Sequence, residues 1–225
     1  VEVHKVYGSI NLLNGNWHPD SVVRVNTAAI ETAITTYAAG TVGRIDVVSG
    51  QLDCVGGMST HQDVDIAANG SRGLNFLGAS TVLMKVGGNF TDLNTDGLNY
   101  NGGRIKFNGS APQTVTIGRT LDSRIQMGED SYILLGDDLI CSYAMVGQES
   151  SLGLRATLDV GSYDLSLPEL VVTGGGADAQ TLIYDAGADS GSITVNELIH
   201  LQDWNVEVRD AGGWVSGDDF VLIDY

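Results

Sequence analysis

Along much of the chain apolar and polar residues alternate, as in Arg44-Ile-Asp-Val-Val48, Val64-Asp-Ile66, Arg104-Ile-Lys-Phe107, Gln113-Thr-Val-Thr-Ile117 and Ser192-Ile-Thr-Val195. A period of two sends successive side chains to opposite faces of an extended backbone, so these segments predict short, half-buried strands. Asn-Gly, Gly-Gly and Asp-Gly dipeptides separate them and predict tight corners. One phrase recurs: Leu52-Asp-Cys-Val-Gly-Gly-Met-Ser-Thr60 and Leu83-Met-Lys-Val-Gly-Gly-Asn-Phe-Thr91 agree at Leu, Val, both glycines and Thr after a shift of 31 residues. Weaker echoes stand at Val115-Thr-Ile-Gly118 and Leu170-Val-Val-Thr-Gly-Gly175. A strand-and-corner phrase reused along the chain is what a coil needs to continue one layer from rung to rung. The pattern therefore predicts an all-β parallel β-helix, or β-solenoid, with short glycine-cornered strands and roughly 20 to 30 residues per rung. An antiparallel β-sandwich shares the local alternation and is the alternative.

One stretch departs from this pattern. Thr27-Ala-Ala-Ile-Glu-Thr-Ala-Ile-Thr-Thr-Tyr-Ala-Ala39 places Ile30, Ile34 and Tyr37 on one helical face, with Asn26 or Thr27 as N-cap and Gly40 at the stop. It predicts an N-terminal helix covering an open sheet edge. Its many threonines, poor helix formers, leave a strand and loop as the other reading. The expected organisation is a single domain over residues 1–225, with an N-terminal cap over 1–43, a repeat core over 44–175 and C-terminal strands over 176–225.

Composition narrows the function classes. The 28 acidic residues against 11 basic ones give a net charge of -17, which repels phosphate backbones and anionic headgroups. Nucleic acid is excluded as an expected partner. No apolar run of about 18 residues predicts a membrane span, and the chain opens at Val1 without a leader, as one whose leader has been removed would. Asp outnumbers Glu, a balance that suits solvated turns or divalent cations. The cysteines, Cys54 and Cys141, lie 87 residues apart, which matches no zinc spacing and leaves either one disulfide or two buried thiols.

Val86-Gly-Gly-Asn-Phe-Thr91, followed by Tyr100-Asn-Gly-Gly-Arg-Ile-Lys-Phe-Asn-Gly-Ser-Ala-Pro-Gln-Thr-Val115, resembles a phrase common in large bacterial surface and secreted β-solenoid proteins. The closing Gly217-Asp-Asp-Phe-Val-Leu-Ile-Asp-Tyr225 is similar to the terminal strand phrase of autotransporter-type passengers and of exoproteins with a C-terminal sorting signal. The two phrases cover about a seventh of the chain. The resemblance implies an extracellular, repetitive β scaffold for adhesion, matrix building or filament formation, and it implies no catalytic residues.

Candidate sites follow from local chemistry. Asp92, Asn94 and Asp96, with Gly97 after them, supply oxygens at the first, third and fifth positions of a calcium loop, although Gly103 stands where its bidentate Glu belongs. The same residues suit an Asx-rich turn. Gly174-Gly-Gly-Ala-Asp178, with Asp185 and Asp189, reads as flexible corners. His61, Asp63 and Asp65 share a strand face, a weak metal pattern. Sequons stand at Asn69, Asn89 and Asn108. Trp17, Trp204 and Trp214 are either end-packing residues or a stacking platform for sugars. No Gly-x-Ser-x-Gly elbow precedes a helix, and neither cysteine has a His nearby in sequence to activate it.

The expected function is thus mechanical: a secreted or cell-surface, non-catalytic β scaffold acting as a filament or matrix subunit or an adhesin segment. It is expected to need no cofactor, with calcium as the candidate ion, and to take as partners its own copies, head to tail, or surface and matrix glycans. Phe220, Val221, Leu222, Ile223 and Tyr225 form the expected assembly edge. The alternatives are a glycan-binding adhesin module and a polysaccharide lyase or glycoside hydrolase built on a β-helix.

Overall fold

The computed structural model describes residues 2–3, 10–11, 16–26, 34–36, 40–54, 56–68, 73–77, 82–94, 100–143, 145–146, 155–172, 180–187, 190–200 and 204–213. Every strand ladder among them is parallel, which removes the antiparallel sandwich. The strands form three sheets of ten, nine and four strands. In the ten-stranded sheet the order in space is the order in sequence, from Glu2–Val3 and Val22–Asn26 to Gln180–Gly187 and Trp204–Gly212. Each circuit adds one strand beside the last, so the chain is a β-solenoid. From Val22–Asn26 on, the steps between strand starts run from 19 residues, Gln113 to Tyr132, to 26, Val64 to Phe90.

The alternation seen in the sequence becomes continuous side-chain rows. On the inner face of the ten-stranded sheet Val23, Ile45, Val64, Phe90, Val115 and Leu135 stack in register. All six are at most 2% exposed. Across the core, Met58, Met84, Ile105 and Ile125 form the matching row of the nine-stranded sheet. The four-stranded sheet adds Leu52 against Leu74 and Cys54 against Phe76, and closes a third side of the coil over its N-terminal part. Cys54 and Cys141 are separate free thiols, both buried.

The recurring phrase is a vertex and not a coil period. Gln51–Cys54 belongs to the four-stranded sheet, whereas Leu83–Val86 belongs to the nine-stranded sheet and pairs with Met58–Thr60 and Arg104–Phe107. The shift of 31 residues therefore aligns two different corners of the cross-section. Both corners need the same chemistry, since an apolar strand must bend sharply before the next inward row begins. Glycine answers that need where neighbouring rungs touch. A Cβ on Gly43 would lie 2.2 Å from the carbonyl oxygens of Pro19 and Ser21, and one on Gly87 2.6 Å from that of His61.

The expected helix over 27–39 is corrected in its middle. Ile34–Thr36 is a strand, pairing with Ile10–Asn11 and with Gln51–Cys54. The β-branched Ile and two threonines favour the pleated, paired state over the helix. Residues 27–33 and 37–39 lie outside the described residues. Val22–Asn26 and Gly40–Val42 already belong to the two long sheets, so the coil begins within the stretch expected to be a cap.

The corner geometry predicts opposite outcomes for two small changes. Gly43→Ala should lower stability by about 1–3 kcal/mol, because backbone and not a side chain must shift. Gly118→Ala should leave the melting temperature nearly unchanged, its Cβ meeting nothing closer than 3.4 Å. Thermal unfolding of the two variants checks the contrast.

Candidate functional site

In three places among the described residues, charged side chains of opposite sign from different rungs gather, two on the outside of the ten-stranded sheet and one inside the coil. The interior cluster interrupts an aliphatic row. Val25, Val47, Ile66, Asp92 and Ile117 stack in register, so Asp92 occupies a position where its neighbours are all apolar. Its side chain is fully buried. The Tyr100 hydroxyl donates to Asp92 Oδ2 at 2.5 Å, Arg119 donates to the same oxygen at 2.7 Å, and the Asn94 N–H donates to Oδ1 at 3.0 Å. The Arg119 guanidinium lies 5.3 Å from the centre of the Tyr100 ring, which meets Phe76 edge-on at 5.1 Å. Asp122 holds the Tyr100 and Asn101 N–H groups, each at 2.9 Å, and fixes the corner that delivers the tyrosine. Burial, then the Asp92 charge, pushes the Tyr100 phenol well above its ordinary value, so it stays a proton donor.

Asp92 and Asn94 were two of the three candidate calcium ligands. Both are fully buried, and both Asp92 oxygens hold protein donors. Asp96 lies outside the described residues, as do Asp178, Asp189, Trp214, the sequon at Asn69 and the candidate assembly edge Phe220, Val221, Leu222, Ile223 and Tyr225. Among the described residues no group of three or more His, Cys, Asp or Glu side chains is placed to hold a metal ion. His61 is exposed, Asp63 accepts the Asn89 N–H at 2.7 Å, and Asp65 pairs with Arg44 at 3.0 Å.

The first outer cluster sits near the N-terminal end. Asp46, itself buried, receives Arg24 from the preceding strand at 2.9 Å and Arg44 from its own strand, and Arg44 reaches on to Asp65 in the next strand. Burial, offset in part by Arg44, raises the Asp65 carboxyl. The second lies at the other end. Arg209 on Trp204–Gly212 reaches past the neighbouring strand to Asp159 at 2.9 Å and to the Tyr132 hydroxyl at 3.1 Å. Tyr132 donates to the same Asp159 oxygen at 2.5 Å, so one guanidinium ties together three strands that sequence separates by 50 and 77 residues. Neither outer cluster was anticipated. The signal present was a charged residue at an outward strand position, as at Arg24, Asp46, Asp159 and Arg209, which does not reveal its partner on another rung before the rungs are stacked.

A groove of about 280 Å³ opens beside the interior cluster and is lined by Ile117, Gly118, Arg119, Thr120, Asp137, Asp138 and Ile140. Ile140 is half exposed and both aspartates are exposed, while the Arg119 side chain is only 7% exposed and turned onto Asp92. Trp17 and Trp204 each pack partly buried against the core, near opposite ends of the coil, and share no platform. No helix among the described residues is long and apolar enough to cross a membrane.

Comparison with protein-family models, with curated proteins and with solved structures gave no match to this chain. Its architecture is a β-solenoid on the evidence of its own strands. What the polar clusters can do chemically is clear from their partners: each joins a carboxylate to an arginine contributed by another rung.

Removing one partner of the interior pair should be costly and removing both less so. Arg119→Met leaves the Asp92 charge buried without its cation and should cost about 3–5 kcal/mol, whereas Asp92→Val with Arg119→Met should recover most of that loss. Denaturant unfolding of the single and double variants measures the difference. Alkaline pH supplies a second check. Burial pushes the Cys141 thiol up from 9.0 to about 12. Folded and unfolded chains both keep the proton below pH 9, and above it the unfolded thiol ionises first. Its stabilising share is thus complete below 9 and is lost as pH rises toward 12, by at most about 1.4 kcal/mol per pH unit. The fall in stability between pH 9 and 11 should be shallower in Cys141→Ala.

Proposed function

We propose that this chain is a non-catalytic structural protein: a stiff β scaffold that works outside the cell or at its surface as a filament or matrix subunit or as part of an adhesin. The observation that carries the reading is the use made of charge. Arg24, Arg44, Arg119 and Arg209 each neutralise a carboxylate from another segment of the coil. Groups spent in this way fasten rungs to one another and resist the local opening by which stacked repeats come apart. The inner rows of Val, Ile, Leu, Met and Phe supply the continuous core that such a rod needs.

The second reading, a glycan-binding or glycan-cleaving module, draws on the groove beside Arg119. Asp137, Asp138 and Thr120 there present polar atoms to solvent next to the half-exposed Ile140, a mixture that suits a sugar. Against cleavage stands the engagement of Arg119 with Asp92, which directs the nearest cation away from a bound anion.

Incubation with neutral and acidic polysaccharides separates the readings. The scaffold reading predicts no new reducing ends and no unsaturated sugars; turnover that disappears in Asp137→Asn or Asp138→Asn would replace it with an enzyme. Calcium is tested in the same preparation. With Asp92 satisfied by Tyr100, Arg119 and the Asn94 N–H, a chelator should leave the melting temperature unchanged, and a chelator-induced drop of several degrees would assign calcium a structural role.

A further inference from the structure

Five neighbouring strands of the nine-stranded sheet, Gly40–Val42, Met58–Thr60, Leu83–Val86, Arg104–Phe107 and Arg124–Met127, contain no aspartate or glutamate, in a chain with 28 acidic residues. The basic residues Lys85, Arg104, Lys106 and Arg124 all stand on these strands, at outward positions that alternate with the buried Met84, Val86, Ile105, Phe107, Ile125 and Met127. They form two rows along the coil. Thr41, Ser59, Lys85 and Lys106 are in register across four strands, with the buried Gln126 next in line. Two residues away, Arg104 is in register with Arg124. Lys85 and Arg124 are exposed, and Thr41, Ser59, Arg104 and Lys106 are half-buried.

Like charges directly opposite one another in a ladder repel, so setting Lys85 beside Lys106 and Arg104 beside Arg124 costs stability. Elsewhere Arg24, Arg44, Arg119, Arg155 and Arg209 each meet a carboxylate. Among the described residues Lys85, Lys106 and Arg124 meet none. Asp122, two residues before Arg124, is turned instead onto the Tyr100 and Asn101 N–H groups.

We propose that this strip binds an anionic sugar polymer, one bearing carboxylate or sulfate groups, laid along the coil axis. Its cations repeat at the strand spacing of about 4.8 Å over a surface about 19 Å long and about 7 Å wide, which suits a narrow chain whose charges recur along its length. The hydroxyls of Thr41 and Ser59 continue the lysine row with neutral groups that can hydrogen-bond to sugar hydroxyls. The net charge of -17 decides against a broad anion. A lipid surface or a nucleic acid duplex would also be pressed against the acidic faces. Repulsion from those faces is largely screened beyond about 8 Å at physiological ionic strength, so a chain confined to the strip meets mainly cations. No outward aromatic ring stands on the five strands, so recognition rests on charge-assisted hydrogen bonds. The inference gives the scaffold reading a ligand class and rests on it.

Titration calorimetry of the full chain at physiological salt, with polygalacturonate, dextran sulfate and neutral dextran, reads the result, and reducing ends are counted in the same mixtures. The expected outcome is binding to a charged polymer and none to dextran, and the polymer that binds identifies carboxylate or sulfate as the anion. Lys85→Gln with Arg124→Gln should weaken binding by about tenfold or more. Arg155→Gln with Val48→Asp lowers the net charge equally, at exposed residues outside the strip, and should leave binding nearly unchanged. Without ligand, the strip variant should melt no lower than wild type, since like-charge repulsion has been removed. A drop of several degrees, expected if these cations held another segment of the chain, overturns the proposal. Failure to bind either charged polymer overturns it, as do equal binding to dextran and equal loss in the two variants. Preference for phosphatidylserine vesicles over both charged polymers overturns it, as does self-association in sedimentation velocity that the strip variant abolishes. New reducing ends would instead overturn the non-catalytic reading and leave the strip as a binding site, whereas absent binding removes the strip and leaves the scaffold.

Discussion

At its corners the coil brings the backbone of one rung against the backbone of the next, and the rest of the structure depends on that close approach. Parallel strands about 4.8 Å apart can keep a single register over many rungs only if the turns joining them also stack. Where they stack most tightly there is no room for a side chain, as at Gly43 over Pro19 and Ser21. Glycine at those vertices lets the strands between them carry full-sized apolar residues inward. The rows Val23 to Leu135 and Met58 to Ile125 follow from this arrangement.

Stacking also decides what a polar residue can do. A charge placed in a row has rungs above and below it as its nearest neighbours, so partners come from segments distant in sequence. Asp92 shows the extreme case: its backbone keeps the register of Ile66 and Ile117, while its side chain gathers Tyr100 and Arg119 from two later segments. A buried pair of this kind adds little net stability over an apolar row. Its consequence is specificity, since a rung displaced by one residue would leave the carboxylate without its cation. Gln113 acts in the same way through the backbone, donating to the Val86 carbonyl and accepting the Gly109 N–H.

The strands were legible because period-two alternation and glycine corners are local properties. Gln113-Thr-Val-Thr-Ile117 is a strand over the residues its alternation marks. The coil was legible from the reuse of Leu-x-x-Val-Gly-Gly, although that phrase marks two vertices of the cross-section and misstates the period. Ile34–Thr36 was misread because Ile30, Ile34 and Tyr37 also fit a helical face, and only pairing with Ile10–Asn11 and Gln51–Cys54 decides between the two. The spacing of Asp92, Asn94 and Asp96 suggested a cation loop, but spacing cannot show that Asp92 ends an inward strand position. Arg209 could not be matched to Asp159 or Tyr132 from sequence, because their proximity is created by three successive turns of the coil.

The stacked rungs form one body, held by continuous inner rows and by charges shared between rungs. Native-state amide hydrogen exchange tests that claim most directly. It predicts that strand amides from Val22–Asn26 through Gln180–Gly187 exchange through a common opening with closely similar free energies, the edge strand Trp204–Gly212 exchanging faster. Blocks of rungs that open independently, with a break in protection between strands joined by Asp92 and Arg119 or by Asp159 and Arg209, would contradict it.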